Sequence, residues 1–185
     1  MDHIYQDIPG WFVGEKVYAR AVREAKDGAR FVEVGSWKGK STSFMAVEIA
    51  NSGKNIEFLC VDHWEGSEER AHKADEDVQA GTLFDAFNRN VEPVKDYIKP
   101  LRMSSLEAAA QFEDDSLDFV YLDAAHDYEN VKADIAAWLP KLKKGGTIAG
   151  DDYALPWVGV MKAVDEAFGG LKPLSIANTQ WVSRK

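Results

Sequence analysis

Short apolar segments alternate with longer amphipathic segments in this chain, and this alternation limits the folds that it can adopt. Four apolar runs end at, or just before, an acidic residue or a glycine, and they are Arg30–Val34, Ile56–Val61, Leu117–Leu122 and Gly146–Gly150. The intervening segments have helical periodicity; in one of them Tyr128, Val131, Ile135 and Leu139 recur on one helix face. The pattern predicts βαβ units and therefore an α/β fold, in which helices cover a mostly parallel sheet.

Further elements complete this sheet. A weaker strand is predicted at Ile98–Met103, where Pro100 fits only an edge position. Residues 171–176 and 179–182 flank Ala177-Asn178 and predict a terminal hairpin that adds an antiparallel edge. The lysines and paired glycines of residues 141–146 predict a helix exit and a left-handed turn before the last parallel strand. The predicted helices are Trp11–Glu24, Ser41–Asn51, Thr82–Asn90, Ser105–Gln111, Tyr128–Leu139 and Val158–Phe168.

The length of the chain suits one domain. Its 185 residues suffice for a single core covered on both faces. Within that domain, residues 1–28 are predicted to form an N-terminal helical cap. Residues 65–81 are strongly charged and poor in apolar side chains, which indicates either a solvated insertion or a mobile lid on the active site. The single cysteine, Cys60, lies in an apolar strand and is predicted to be structural.

Charge and hydropathy exclude several kinds of partner. The net charge is −9, and no cluster of Lys and Arg follows a predicted helix or strand, which argues against nucleic acid. No window is long and apolar enough to span a bilayer, and the N-terminus lacks a basic region followed by an apolar stretch. We therefore expect a cytoplasmic protein that acts on a small-molecule substrate, without a membrane partner. A homo-oligomer is compatible with the sequence.

A glycine-containing turn follows the first predicted strand. Gly35 and Gly39 permit a tight turn and a close approach of the backbone to a ligand. Ser36, Ser41 and the N–H groups at the following helix start can hold a carboxylate or a phosphate. The spacing is not the Gly-x-Gly-x-x-Gly of dinucleotide-binding proteins, and Val34 stands where a P-loop requires glycine. The turn alone is compatible with several nucleotide cofactors.

The residues after the second strand extend this candidate site. Asp62 lies where a carboxylate can accept both hydroxyls of a ribose, although a helix cap or a surface ion pair is an alternative. Trp64 either presents an aromatic face to an adenine or anchors the core. His63 is a candidate to line the same site.

A second group of polar residues follows the last two parallel strands. Three carboxylates, those of Asp123, Asp151 and Asp152, would repel each other unless a cation neutralised them, and Mg²⁺ prefers oxygen ligands. A bound metal would lower the pKa of an acceptor hydroxyl, while His126, titrating near neutrality, could remove the proton. In the alternative, Asp123 contacts only a cofactor, Asp151 and His126 are caps, and Asp152 is solvated.

Together these residues resemble the class I S-adenosylmethionine-dependent methyltransferases, in the group called methyltransferase domain 24. The resemblance covers about residues 8–170, and it is carried by residues 31–42, 61–64, 118–128 and 145–153. It implies a Rossmann-like three-layer αβα sandwich with a seven-stranded sheet in the order 3-2-1-4-5-7-6, which suits the terminal hairpin.

The resemblance also implies roles for single residues. Asp62 would bind the ribose of S-adenosylmethionine, Ser104 or Ser105 its adenine, and Asp123 would also contact the cofactor. The methionine part would be held by the glycine turn, with Glu33, Gly35, Ser36, Gly39 and Ser41.

The acidic group has a more local resemblance. Asp123, Asp151 and Asp152 look like the metal ligands of antibiotic sugar O-methyltransferases, and His126 matches the position of a proposed base. Ala125 stands where some of those enzymes carry a catalytic aspartate. The sequence thus predicts O-methylation of a small hydroxylated substrate such as a sugar, with Mg²⁺ as a candidate second cofactor. Two alternatives are an NAD-dependent oxidoreductase, against which the missing third glycine argues, and a cofactor-binding module without catalysis.

Overall fold

The computed structural model of the chain describes residues 1–169 and 175–185, and a seven-stranded sheet lies at its centre. The sheet order is β3-β2-β1-β4-β5-β7-β6, as predicted. Strands β1 to β5 are parallel, whereas β7 runs antiparallel to both β5 and β6. The strands are β1 (Arg30–Val34), β2 (Glu57–Asp62), β3 (Lys99–Arg102), β4 (Leu117–Leu122), β5 (Leu142–Gly150), β6 (Ser175–Ala177) and β7 (Gln180–Arg184).

The two edges of the sheet agree with the predicted edge strand and the predicted terminal hairpin. Pro100 lies in β3, which pairs with β2 and stands at one end of the sheet order, so it is an edge strand. The terminal hairpin forms, and Asn178 takes a left-handed φ of 57° in its turn. The part of that prediction that falls on residues 171–174 lies outside the described residues.

The described chain contains eight α-helices. They are α1 (Glu15–Glu24), α2 (Lys40–Ser52), α3 (Arg70–Lys73), α4 (Glu76–Ala80), α5 (Leu83–Val91), α6 (Ser105–Ala109), α7 (Tyr128–Trp138) and α8 (Val158–Phe168). Short 3₁₀ segments add Tyr5–Asp7, Glu92–Tyr97 and Leu139–Lys141. Among the described residues, no helix combines the length and the apolar character that crossing a membrane requires.

Two predicted boundaries were wrong. The first helix begins at Glu15 and not at Trp11, because Gly10 has a φ of 129° that no helix accommodates and Gly14 occupies the N-cap. Strand β5 begins at Leu142, so the glycines assigned to a helix exit lie within a strand. The register of β5 against β4 shifts between Leu117 and Phe119, and Gly145 supplies the left-handed φ of 82° in this irregular stretch.

Helices cover both faces of the sheet. Neighbouring residues of β1 point to opposite sides, so that Phe31 packs in one buried cluster and Val32 in the other. The cluster of Phe31 contains side chains of α1, α2 and α5, and that of Val32 contains side chains of α6, α7 and α8. Cys60 is fully buried in the first cluster, in agreement with the structural role predicted for it.

The strand register brings the candidate site residues to one edge. Val34 is paired with Leu122, and Leu122 is paired with Gly150. The residues that follow these positions, which include Gly35, Asp123 and Asp151, therefore emerge side by side at the carboxyl ends of three adjacent strands. Ligands of open α/β sheets bind at this edge.

Candidate active site

The glycine turn between β1 and α2 is pressed against the end of β4. Gly35 has a φ of 91°, and a Cβ atom at this position would overlap the backbone carbonyl of Asp123 and approach Ala124 Cα. Only glycine fits both the dihedral angle and the space. This close approach places the backbone of the turn next to the carboxyl end of β4.

Glu33 lies beneath this turn and not on the surface of the cleft. Its side chain is buried and accepts hydrogen bonds from Tyr18 Oη at 2.8 Å, from Ser36 Oγ at 2.8 Å and from Thr42 Oγ1. Burial raises the pKa of Glu33, whereas these hydroxyl donors lower it. Glu33 therefore joins α1, the turn and α2, and it positions the turn from below.

Asp62, at the end of β2, holds the turn from the side. One carboxylate oxygen, Oδ2, accepts from the backbone N–H groups of Ser36 at 3.0 Å and Trp37 at 2.9 Å. The other oxygen, Oδ1, accepts from the N–H of Trp64 at 2.7 Å. A carboxylate has about four acceptor positions, so Asp62 retains capacity for a ligand hydroxyl.

Two of the predicted cofactor residues pack away from the cleft. Trp64 is only 2% exposed, donates from Nε1 to the carbonyl of Trp37 at 2.7 Å and packs against Phe87. Its ring therefore anchors the core and does not present a face to the cleft. Gly39 has a φ of 87°, and a Cβ atom there would meet Val91 and Phe87. These residues shape the turn through packing with α5.

The other predicted residues line the cleft. Ser36, Ser41, His63, Ser104 and Ser105 all contribute to its walls. Ser104 is also the N-cap of α6 and forms a capping box with Glu107. Ser105 Oγ accepts from Trp138 Nε1 at 2.9 Å.

Asp134 of α7 lies next to Ser105 and was missed by the sequence analysis. Its side chain is largely buried, and burial raises the pKa of its carboxyl to about 6 against the opposing hydrogen bond from Ser105. The signal was present, because Asp134 shares the apolar face of α7 with Val131 and Ile135. A lone carboxyl on such a face is a candidate to contact a ligand.

The second constellation brings together Asp123, His126 and Asp152. One ligand atom from each lies within 4.8 Å of the others, which makes the three a possible metal-binding group. Asp152 reaches this group because its φ of 61° is left-handed and turns the chain directly after β5. Asp151 lines the same cleft but stands outside the group, and its Oδ1 accepts the backbone N–H of Asp152 at 2.8 Å.

His126 has carboxylates at both ring nitrogens. Nε2 lies 2.8 Å from Asp152 Oδ2 and 3.8 Å from Asp123 Oδ1, while Nδ1 lies 2.6 Å from Glu69 Oε1. Asp123 Oδ1 is too far for a hydrogen bond and the direction of Asp152 Oδ2 does not suit one, so the buried Nε2 has no hydrogen-bond partner within the described part of the chain.

The electrostatics of this group favour a positive charge. Desolvation lowers the pKa of His126, but the carboxylates of Asp123 and Asp152 raise it to about 11 overall. Burial raises the pKa of Asp123 to about 6. The neighbouring carboxylates thus hold the pKa of His126 above the near-neutral value expected from the sequence. A divalent cation could compensate the same negative charges in place of a proton on His126.

Both constellations open into one cleft with a volume of about 1360 Å³. This exceeds the usual range of small-molecule sites and leaves room for a cofactor together with an acceptor. Trp11, Trp37 and His72 form an aromatic wall, in which the rings of Trp37 and His72 stack at 4.1 Å. Segment 65–81 contributes His72 and Glu69 to the cleft, and no local sequence pattern indicated those two contacts.

Comparisons with known proteins agree with this geometry. A family model described as a methyltransferase domain matches residues 32–153, which include the glycine turn, Asp62 and the acidic strand ends. Among curated proteins, the uncharacterized protein y4gI of Sinorhizobium fredii (strain NBRC 101917 / NGR234) is 29% identical over 113 residues. That match covers 61% of this chain and 12% of the length of y4gI.

Solved structures share the fold at low identity. The O-methyltransferase NovP superposes with a TM-score of 0.72 at 16% identity, covering 92% of this chain and 78% of NovP. CalS11, a calicheamicin methyltransferase, gives a TM-score of 0.68 at 16% identity, with 92% and 77% covered. The family match covers well over half of the chain and decides against an NAD-dependent oxidoreductase. The chain therefore belongs to the methyltransferase domain family and has the fold predicted for a class I S-adenosylmethionine-dependent methyltransferase.

Proposed function

We propose that this methyltransferase acts on a hydroxyl of a small acceptor, such as a sugar, with a divalent cation held by Asp123, His126 and Asp152. The observation that carries the proposal is the convergence of these three donor atoms within 4.8 Å at the carboxyl edge of the sheet. The descriptions of related structures also support it, since NovP is an O-methyltransferase and CalS11 is described as a TDP-rhamnose 3'-O-methyltransferase.

The residues present fit both groups that the proposal requires. For the cofactor, the turn at Gly35 lies against the end of β4 and lines the cleft, and Asp62 has an acceptor position to spare. For the cation, two carboxylates and an imidazole nitrogen are suitable donors, and the buried Nε2 of His126 lacks a hydrogen-bond partner among the described residues. Here His126 takes the ligand position that the sequence assigned to Asp151.

The chain mainly has to bind and orient the reactants. S-adenosylmethionine supplies a methyl group already activated by the sulfonium, and a divalent cation would lower the pKa of an acceptor hydroxyl. The glycine turn would hold the methionine part, Asp62 the ribose, and Ser104 or Ser105 the adenine. Asp123 and Asp152 would fix the acceptor side of the cleft, and Trp157, whose ring lies 4.4 Å from that of His126, would limit access of water.

Binding and turnover can be tested separately. We expect calorimetry to show binding of S-adenosylmethionine, and we expect transfer of a labelled methyl group to members of a panel of nucleoside-diphosphate sugars. EDTA should abolish the transfer, and Mg²⁺ or Mn²⁺ should restore it. Failure of the pure protein to bind S-adenosylmethionine would contradict the proposal, and transfer that is unaffected by EDTA would remove the cation from it.

A matched pair of variants locates the cation. Asp152→Asn removes a donor from the group and should lower methyl transfer strongly while leaving cofactor binding intact. Asp114→Asn removes the same charge from the opposite edge of the sheet, where Asp114 pairs with Lys141, and should leave transfer unchanged. Cofactor binding without transfer to any acceptor on the panel would favour the alternative of a binding module that lacks catalysis.

A further inference from the structure

A carboxylate from segment 65–81 reaches the His126 ring from the side opposite the two aspartates. Glu69 Oε1 lies 2.6 Å from His126 Nδ1, although 57 residues separate them in sequence. Both side chains are shielded from solvent, with 15% of His126 and 29% of Glu69 exposed. We propose that Glu69 is a positioning residue that fixes His126 as a cation ligand, an inference that rests on the proposed function.

The two ring nitrogens of His126 have different surroundings. Nδ1 faces Glu69, whereas Nε2 faces Asp123 and Asp152 and has no hydrogen-bond partner within the described residues. A cation bound at Nε2 would take the place of the proton there, and the one remaining N–H would lie on Nδ1, where the bond to Glu69 holds it. Carboxylates outside the ligand sphere orient metal-binding histidines in this way and raise their basicity.

The segment that carries Glu69 is attached to the cofactor side of the cleft. His72, which follows Glu69 by three residues, stacks on Trp37 at 4.1 Å with an interplanar angle of 16°. Lys38 Nζ pairs with Asp75 at 2.8 Å and with Asp77 at 2.6 Å, and only 9% of the lysine side chain is exposed. These contacts hold the segment that carries Glu69 against the glycine turn. The bond from Glu69 to His126 therefore forms without a bound methyl acceptor.

Cation affinity of the full chain tests the role of Glu69 without any turnover. We expect Glu69→Ala to raise the Kd for Mn²⁺ by about 10- to 100-fold. Electron paramagnetic resonance in the absence of S-adenosylmethionine measures this Kd. Glu69→Gln keeps an oxygen that can accept from Nδ1 and should raise the Kd less. This partial rescue separates orientation of the ring from a general loss of structure.

The neighbouring glutamate provides the control. Glu68 carries the same charge in the same segment, but its side chain is 95% exposed and pairs only with Lys73 among the described residues. Glu68→Ala should therefore leave the Kd for Mn²⁺ unchanged. Thermal unfolding followed by circular dichroism checks that each variant is folded, and Glu69→Gln carries the test if Glu69→Ala is not.

The outcomes distinguish this inference from the proposed function. If wild-type protein binds Mn²⁺ and Glu69→Ala binds it equally well, the role of Glu69 is refuted while the cation site stands. An equal loss in Glu68→Ala would also refute it, because charge in the segment would then suffice. If the wild type binds S-adenosylmethionine but no Mn²⁺, the cation site itself fails and the role of Glu69 fails with it.

Discussion

The substitution Tyr18→Phe deletes one oxygen atom and with it the buried hydrogen bond between Tyr18 and Glu33. The phenol is fully buried and donates to Glu33 Oε1 at 2.8 Å. Hydrogen bonds to charged groups contribute about 1.5–3 kcal/mol. Because Ser36 and Thr42 continue to donate to the same carboxylate, we expect a loss near the lower end, about 1.5–2 kcal/mol.

Urea and thermal unfolding measure this loss. For a chain of this size, 1 kcal/mol corresponds to a change of about 2–4 °C in Tm, so Tyr18→Phe should lower Tm by roughly 3–8 °C. Tyr5→Phe is a matched control, because Tyr5 also donates to a glutamate, Glu15, but at 3.4 Å and in a partly exposed position. Its expected effect is below about 0.5 kcal/mol. Equal effects of the two substitutions would refute the reasoning from burial.

The pH dependence gives a second check on the same carboxyl. Burial raises the pKa of Glu33 in the folded protein above its ordinary value. The contribution of this group to stability is therefore fully present below the unfolded-state pKa and is lost as the pH rises through the folded-state pKa. Tyr18→Phe removes a donor to the ionised form, so the difference in unfolding free energy between the variant and the wild type should shrink as Glu33 becomes protonated. A difference that grew on acidification would contradict this assignment.

Three further substitutions test the turn and its neighbours. Gly39→Ala should lower stability by about 1–2 kcal/mol or more in urea unfolding, because its φ of 87° is left-handed and a Cβ atom would meet Val91. Asp62→Asn places an amide donor among three backbone N–H groups and should weaken S-adenosylmethionine binding, measured by calorimetry, by about 10-fold or more. Ser104→Ala removes the cap of α6 and should cost about 1 kcal/mol in thermal unfolding.

Most of the sheet could be predicted because its signals are local. Apolar runs that end in glycine or aspartate determined the parallel strands, and Pro100 identified β3 as an edge. The start of β5 could not be read in this way. Gly145 there has the left-handed φ typical of a helix exit, but it lies within the strand where the register against β4 shifts, so the cause is the neighbouring strand and not the local sequence.

The candidate site was predictable in position but only partly in its contacts. The order of the strands placed the glycine turn, Asp62 and Asp123 at one edge. The stacking of His72 on Trp37 and the bond from Glu69 to His126 join residues that are 35 and 57 positions apart. Such contacts depend on how segment 65–81 folds back over the sheet, and a charged, apolar-poor segment carries no periodic signal for that path.

The composition of the candidate metal-binding group could not be predicted from the sequence either, because it depends on a single backbone dihedral angle. From the sequence, three aspartates at two strand ends suggested an all-oxygen site suited to Mg²⁺. In the structure the left-handed φ of Asp152 turns its side chain to His126, while Asp151 accepts the N–H of Asp152. The group that the structure brings together thus includes an imidazole nitrogen, and a donor set of this kind would suit Mn²⁺ and other transition metals better than it would suit Mg²⁺.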